Sequence, residues 1–413
     1  MSKRVLLIGG NFSPELTGIG KYNGEMISYI ASQGYKCSVV TTFPYYPHWK
    51  VQHPYIKSSS WFKKEVIIAP GPKASPVEVF RCPHYIPSAP TGLKRVISDF
   101  SFFISAFLKI FQFLFQPKFD FILVVAPPFQ LGLLGLMYRK IKGGKVLYHI
   151  QDLQIDAARD FNLIKSKFII NTLLKVEKYI LKHADVVSSI SAGMIKKIEH
   201  KYNREVVFFP NWVDTNLFYP LEEKKGLKRL FNFDETDSII LYSGAIGEKQ
   251  GLETILDAAE ELKNNTSVKF VICGSGPYKQ KLKELKDSRN LDNVYFLPLQ
   301  PFDKLNSFLN MADIHLVIQK ANAADLVMPS KLTAILSVGG VAIITANEGS
   351  SLFDVVDMYK MGVLVEPENP KAFTVALDST LKSNHKIINH NARLYAERYL
   401  SINEIFRSFQ EHM

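Results

Sequence analysis

Two lysines occupy positions in the sequence where a phosphate group could bind. Lys249 lies in the loop at residues 244–251, which follows an apolar run and precedes an amphipathic one. Lys331 follows Pro329 and Ser330 where another helical stretch begins. A cation is unfavourable at the amino end of a helix unless an anion binds there, and free backbone N–H groups at such an end suit phosphate. The pattern therefore predicts an anion site, with two solvated surface lysines as the alternative.

Polar or glycine-containing segments follow three apolar runs in the first half of the chain. The segment at 11–20 holds a pair of glycines that would let a ligand approach the backbone. The segment at 44–50 is rich in proline and aromatic residues, and the segment at 149–152 consists mostly of polar residues. Ligands of parallel sheets bind beyond the carboxyl ends of the strands, so these segments are candidate binding loops. Simple turns and packed surface loops are the alternative. The candidate residues are Gly18, Gly20, His48, Trp49, His149 and Asp152.

Short apolar runs alternate with amphipathic stretches along the whole chain. This rhythm predicts an α/β fold of two doubly wound, Rossmann-like halves that face each other across a cleft. A charged segment of poor periodicity follows residue 215. We therefore expect a first domain over residues 1–215 and a second over 216–390.

The chain has 413 residues and a net charge of +11, which is concentrated in its first half. Residues 1–210 hold 28 Lys and Arg against 13 Asp and Glu, whereas the remainder holds 22 against 26. A basic half predicts an anionic partner, either nucleic acid or an anionic membrane face, unless its lysines are simply solvated. Cys37, Cys82 and Cys273 have no metal or disulfide spacing, and the first apolar run is too short for a signal peptide. A cytoplasmic location is expected.

Residues 100–115 are the most hydrophobic segment of the chain. Phenylalanines and aliphatic residues recur on one helical stripe, interrupted by Lys109 and Gln112. The run is shorter than the roughly 20 residues that span a bilayer. Two interpretations stay open: a buried helix that covers the sheet, or an interfacial helix that dips phenylalanines into a membrane. Lys94, Arg95 and Lys118 flank it, which suits the second.

Several motifs together resemble those of bacterial family-4 glycosyltransferases of the GT-B fold, and most of all the colanic acid glycosyltransferase subgroup. The motifs occur in the family's order and span most of the chain. They are PELTGIGKY at 14–22, YPHWK at 46–50, HIQD at 149–152, PNWVD at 210–214, GAIGEKQGL at 244–252 and MPSKL at 328–332.

The resemblance implies a retaining, metal-independent transfer of a sugar from a GDP- or UDP-linked donor, with no cofactor. The second domain would bind the donor, and the first would bind a polyprenyl-diphosphate-linked acceptor at the inner face of the cell membrane. Fucose is a candidate sugar, and exopolysaccharide assembly the expected pathway. The last helix, within residues 391–413, would pack back on the first domain.

The resemblance also implies roles for the candidate residues. His149 and Asp152 would act at the reacting centre, and His48 and Trp49 would contact the acceptor. The expected donor-binding residues are Gly18, Gly20, Gly244, Lys249, Ser330, Lys331 and Glu348.

Two departures from the family pattern affect these assignments. Ala245 occupies the place of a common arginine, and Ala334 that of a common glutamate. We therefore expect Lys249 and Lys331 to bind the diphosphate jointly. A GT-B UDP-sugar epimerase and a basic nucleic-acid-binding protein are the alternative functions.

Overall fold

The structure, a computed structural model, describes residues 2–15, 18–160, 166–321 and 329–412, without the side chains at positions 157, 160 and 249. The chain forms two compact units. The first ends at Phe209 and also takes in Glu411 and His412, and the second is Pro210–Gln410. Each unit is built on its own sheet.

The first unit contains an eight-stranded sheet in the order β3-β4-β2-β1-β5-β6-β7-β8, parallel except for β3. Its central strands β1 and β5 are almost wholly buried, as expected of parallel strands with helices on both faces. The strands are β1 (Arg4–Gly9), β2 (Lys36–Thr42), β3 (Lys63–Ile68), β4 (Pro76–Cys82), β5 (Phe121–Ala126), β6 (Lys145–Ile150), β7 (Val186–Ser189) and β8 (Val207–Phe208). The helices are α1 (Gly18–Ser32), α2 (Gly92–Phe113), α3 (Leu131–Lys142), α4 (Gln154–Asp160), α5 (Lys167–His183) and α6 (Ala192–Tyr202).

The second unit contains a six-stranded parallel sheet in the order β11-β10-β9-β12-β13-β14. The strands are β9 (Ser238–Ser243), β10 (Val268–Cys273), β11 (Val294–Leu297), β12 (Ile314–Val317), β13 (Ala342–Thr345) and β14 (Val363–Val365). The helices are α7 (Glu253–Glu261), α8 (Lys279–Ser288), α9 (Leu305–Asn310), α10 (Ser330–Ser337), α11 (Ser351–Tyr359), α12 (Pro370–Lys382), α13 (Lys386–Tyr395) and α14 (Ile402–Gln410). The predicted α/β class with two parallel sheets is confirmed.

The first unit ends at Phe209, near the expected boundary at residue 215, and residues 391–410 group with the second unit. Packing of the last helix on the first domain stays a prediction. The guanidinium of Arg393 donates to the carbonyl oxygens of Phe218 at 2.9 Å and Ser337 at 2.7 Å. The ring of Phe406 packs edge-on against Trp212, with centroids 5.3 Å apart. These contacts attach α13 and α14 to the second unit.

The apolar helix α2 has two apolar faces. Phe102, Ile110 and Phe113 are buried against the first sheet. Phe107 and Phe111, on the predicted stripe, are exposed at 37% and 48%. The segment therefore covers the sheet with one face and leaves the other in solvent.

Candidate functional site

The turn after β9 is held in place by the loop that follows the neighbouring strand β10. The N–H of Gly244 donates to the carbonyl of Cys273 at 2.9 Å, and the N–H of Ile246 donates to the carbonyl of Ser275 at 2.9 Å. Both loops leave the carboxyl ends of adjacent parallel strands. This is the edge at which α/β sheets bind ligands.

Two glycines allow these loops to touch. A Cβ atom on Gly274 would lie 1.9 Å from the carbonyl oxygen of Gly244, and one on Gly276 would lie 2.1 Å from that of Ile246. Neither distance is possible for real atoms, so both positions require glycine. Gly274 and Gly276 are not among the site residues predicted from the sequence. The signal that could have found them is a Gly-Ser-Gly-Pro run at a strand end.

The Lys331 ammonium group lies beside this turn, against the Tyr242 ring. Lys331 is the second residue of α10, and its Nζ atom lies 3.9 Å from the centroid of the Tyr242 ring. The same Nζ lies 3.4 Å from where a Cβ on Gly244 would be. Although the residue as a whole is only half-buried, its Nζ is enclosed and has no hydrogen-bond partner among the described residues. The Tyr242 hydroxyl in turn donates to the carbonyl of Ala245 at 2.6 Å.

Burial lowers the pKa of Lys331 to about 7. An ammonium removed from water without a counter-charge is disfavoured, so the group releases its proton more readily than in water. An anion placed beside it would restore the charged form. The isolated ammonium at Gly244 is therefore suited to a ligand phosphate.

The other predicted donor-binding residues of the second unit also lie at or near this edge. Ser330 is exposed as the first residue of α10, whose amino end has no side-chain cap. Glu348 is exposed in the turn between β13 and α11. The backbone of Lys249 lies in the short 3₁₀ turn Glu248–Gln250, and its side chain is outside the described part of the chain. Their roles, like that of Lys331, stay predictions.

The glycine pair of the first unit lies beside a buried carboxylate. Glu15 is 2% exposed, and its Oε1 accepts hydrogen bonds from the N–H groups of Tyr45 at 2.9 Å and Tyr46 at 2.8 Å. Burial raises the pKa of Glu15, against the effect of these hydrogen bonds. A Cβ on Gly20 would lie 2.6 Å from the other carboxylate oxygen, and Gly18 has a φ of +61°. Gly20 thus makes room for Glu15, and donor contacts by Gly18 and Gly20 stay predictions.

The hydrogen bonds from the N–H groups of Tyr45 and Tyr46 to Glu15 fix the start of the aromatic loop that follows β2. Trp49 has a φ of 51°, and the centroid of its ring lies 5.4 Å from that of Tyr45. The Arg95 guanidinium lies 5.1 Å from the centroid of the Trp49 ring. His48 is exposed at the tip. This arrangement leaves His48 accessible to a ligand, and acceptor binding by His48 and Trp49 stays a prediction.

Two polar groups near this loop were missed by the sequence analysis. Burial raises the pKa of Asp99 to about 6, and its Oδ2 accepts a hydrogen bond from Gln154 at 2.6 Å. His84 packs edge-on against Tyr45, with centroids 4.8 Å apart, and neither of its ring nitrogens has a partner among the described residues. Asp99 lies in the apolar helix α2, and His84 lies in the segment that connects β4 to α2. Neither belongs to a recognisable sequence motif.

His149 is placed at the end of β6 as predicted, but it is buried. Its Nδ1 lies 3.0 Å from the Ser188 hydroxyl, and its ring packs edge-on against Phe209. Burial lowers its pKa to about 3. The imidazole is therefore neutral near pH 7 and can orient a group but cannot supply a standing positive charge. Asp152 is exposed in the loop that follows. Catalytic roles for His149 and Asp152 stay predictions.

No group of three or more His, Cys, Asp or Glu side chains within the described ranges could hold a metal ion. One described helix, α2, is long and apolar enough to cross a membrane by length and composition alone, and 33% of its most apolar window is buried.

Comparisons with known proteins give the class to which this two-unit α/β chain belongs. Residues 223–398 match the family model "Glycosyl transferases group 1". The chain is 38% identical over 417 residues to the putative colanic acid biosynthesis glycosyl transferase WcaI of Escherichia coli K12, covering 98% of each chain.

Solved structures show the same GT-B fold. Sucrose-phosphate synthase from Thermosynechococcus elongatus superposes with a TM-score of 0.73 at 17% identity, covering 99% of this chain and 98% of the other. Anabaena Alr3699/HepE, solved with UDP and glucose, gives 0.69 at 14% identity, with coverage of 99% and 98%. The chain belongs to the group 1 glycosyltransferases. This sets aside the epimerase and nucleic-acid-binding alternatives.

Proposed function

We propose that this chain transfers a sugar from a nucleotide diphosphate donor to a lipid-linked saccharide in the synthesis of a colanic-acid-like exopolysaccharide. The observation that carries the proposal is the enclosed Lys331 ammonium beside the Gly244 turn, which has no hydrogen-bond partner in the part of the chain that the structure describes. The pathway rests on the name of the E. coli relative, which covers nearly the whole chain. The HepE complexes with UDP and with UDP-glucose support a nucleotide-sugar donor.

The second unit is where the donor diphosphate would bind. Lys331 and the uncapped amino end of α10 would face its oxygens, with Lys249 and Ser330 as further contacts. When the bond to the sugar breaks, negative charge grows on the leaving diphosphate. A cation already positioned in an enclosed site stabilises that charge without having to reorganise. The chemistry then needs no metal or other cofactor.

Donor binding should depend on pH through Lys331. Its pKa of about 7 in the free chain means that the group is increasingly neutral above that pH. The diphosphate selects the charged form, so binding above about pH 7 requires uptake of a proton, and affinity should fall by up to about tenfold per pH unit. Both phosphates of a nucleotide sugar are diesterified and do not titrate in this range. Donor affinity that is flat from about pH 6 to about pH 9 would contradict the assignment.

The first unit would bind the acceptor. His48 and Trp49 offer an exposed imidazole and an indole held by Tyr45 and Arg95. Neutral His149 would hydrogen-bond the reacting sugar or the acceptor. Asp152 would orient the attacking hydroxyl or accept its proton.

The exposed face of α2 would attach the chain to the membrane that carries the lipid-linked acceptor. Phe107, Leu108 and Phe111 form a solvent-exposed apolar stripe. The exposed Lys94 near one end of the helix would face anionic headgroups. Apolar insertion and electrostatic attraction together are what interfacial helices use.

Replacing Phe107 and Phe111 by aspartate should abolish co-flotation of the chain with anionic liposomes. Both rings are exposed, so the change should leave the fold intact while it removes apolar area and adds like charge to the surface. The matched control is Met358→Asp/Val375→Asp, at two exposed apolar positions of the second unit. Parent-like flotation of the Phe107/Phe111 variant would show that α2 is not the anchor.

A panel of UDP- and GDP-linked sugars, scored by released nucleoside diphosphate, tests the proposed reaction. We expect turnover of at least one donor, with GDP-fucose as the first candidate. Analysis of the product by NMR then reports the anomeric configuration, and the proposal expects retention. Inversion would refute the retaining mechanism, and no turnover with any donor in the presence of membrane lipids would refute the transfer itself.

A further inference from the structure

The second unit contains a cavity of about 830 Å³ at the opposite end of its sheet from the Gly244 turn. The amino ends of three strands open into it, marked by Ser238 of β9, Ile314 of β12 and Val341 before β13. Since the donor loops leave the carboxyl ends of these strands, the cavity is separate from the proposed donor site.

The cavity is rich in positive charge. Five cationic side chains line it against two acidic ones, Asp313 and Glu235. Lys228 pairs with Asp313 at 2.8 Å, and Arg229 approaches Glu235 only to 3.8 Å. The remaining three lysines form no ion pair within the described ranges; they are Lys224, Lys225 and Lys386.

The amino end of α13 adds to this field. Ser383, Asn384, His385 and Lys386 line the cavity, and they lead into or begin the helix. The side chain of His385 does not cap the helix, since its Nε2 lies 2.6 Å from the carbonyl of Thr380, but the Oδ1 of Asn384 accepts a hydrogen bond from the N–H of Lys386 at 3.0 Å. Backbone N–H groups at such a terminus attract anions.

A buried polar atom in the wall lacks a partner. His315 is 1% exposed, and its Nε2 has no hydrogen-bond partner among the described residues. The ring lies against Gly340, where a Cβ would come within 2.7 Å of that nitrogen. Burial, together with the charge of Lys224, lowers the pKa of His315 to about 3, so its ring is neutral. The Nε2 is itself enclosed, so the ring adds no charge to the wall, and the positive charge of the cavity comes from its lysines and arginine.

We infer that this cavity is an accessory binding site for a phosphate monoester with a polar, sugar-sized body. Lys224, Lys225 and Lys386 would bind the phosphate. The volume far exceeds that of an inorganic ion, and the side chains of Asn384 and Asn389 in the lining offer hydrogen bonds to hydroxyl groups. The site goes beyond the proposed transfer reaction.

Titration of the full chain with glucose 1-phosphate tests this site. Inorganic phosphate and glucose, the two halves of this probe, are titrated separately for comparison. Lys225→Gln/Lys386→Gln removes two cavity charges, and Lys304→Gln/Lys371→Gln removes two exposed charges elsewhere in the same unit. We expect the cavity variant to bind glucose 1-phosphate at least about tenfold more weakly than the parent, and the control variant to bind like the parent. Each half of the probe should bind more weakly than the whole.

Because the probe could also enter the donor site, the titration is repeated in the Lys331→Met background. The same tenfold loss there places the binding in the cavity whether or not Lys331 serves the donor. No binding to the parent, or equal binding by the cavity and control variants, would overturn the inference. Loss of binding caused by Lys331→Met alone would place the probe in the donor site and overturn it as well.

Discussion

Replacing Lys331 by methionine is expected to stabilise the free protein and, at the same time, to weaken donor binding by about 100-fold. The enclosed Nζ has no hydrogen-bond partner within the described ranges, so its removal relieves the cost of a buried unsatisfied group, about 1 to 3 kcal/mol, a gain that the lost contact with the Tyr242 ring reduces. For a unit of this size, that gain raises the melting temperature by roughly 2 to 10 °C. Thermal unfolding and donor titration measure the two effects.

The stability effect should depend on pH in a definite direction. The pKa of Lys331 is lower in the folded chain, about 7, than its ordinary value of 10.5, so the unfolded chain binds more protons between these values. The parent therefore gains stability as pH rises through this window, and the cost is fully present below about pH 7. The advantage of Lys331→Met should be largest at neutral and acidic pH and should shrink towards pH 10.

Lys371 provides a matched control for this substitution. It is likewise the second residue of a helix, α12, but it is exposed. Lys371→Met should change neither the melting temperature nor donor affinity appreciably. A Lys331→Met variant that binds donor like the parent would remove Lys331 from the site, and one that is less stable than the parent would show that the lysine has a structural partner.

Replacing Gly274 by alanine is expected to weaken donor binding by about 100-fold and to destabilise the second unit by about 1 to 3 kcal/mol. The added Cβ would lie 1.9 Å from the carbonyl oxygen of Gly244, so the two loops must separate. The hydrogen bond from the Gly244 N–H to Cys273 joins the same loops and would be strained or lost. Donor titration of the folded variant and its thermal unfolding measure both losses.

Gly247→Ala is the control for this change, because it alters the same loop. Gly247 has a φ of −125°, which alanine adopts, and its added Cβ would meet only the mobile end of the Gln250 side chain. Donor affinity should stay within about threefold of the parent value. If Gly274→Ala also binds donor like the parent, the close contact between the loops does not shape the site.

The sequence predicted which strands and residues form the candidate site better than it predicted how those residues contact one another. Apolar runs located the strands, since buried parallel strands are continuous hydrophobic segments. A lysine at a helix start marked Lys331 as an anion ligand, because the helix dipole disfavours a cation there. Strands β3 and β4 were not predicted, because charged or polar residues interrupt both of them and leave apolar runs of only two or three residues, such as Val66–Ile68 in β3.

Contacts between distant segments could not be predicted in this way. The burial of the Lys331 ammonium depends on the Tyr242 ring from another part of the chain. The need for glycine at 274 arises only when two loops meet. Glu15 likewise bonds to backbone groups about 30 residues further on, and nothing in the local pattern of either segment marks that contact.

Hydrogen exchange, measured with and without the donor that the panel identifies, tests the central claim most directly. The claim is that the donor diphosphate binds at the Gly244 turn and the amino end of α10. We predict slower exchange on donor binding at the backbone amides of residues 244–251 and 330–333, and loss of that protection in Lys331→Met. Donor-dependent protection confined to other parts of the chain, with these two segments unchanged, would contradict the account.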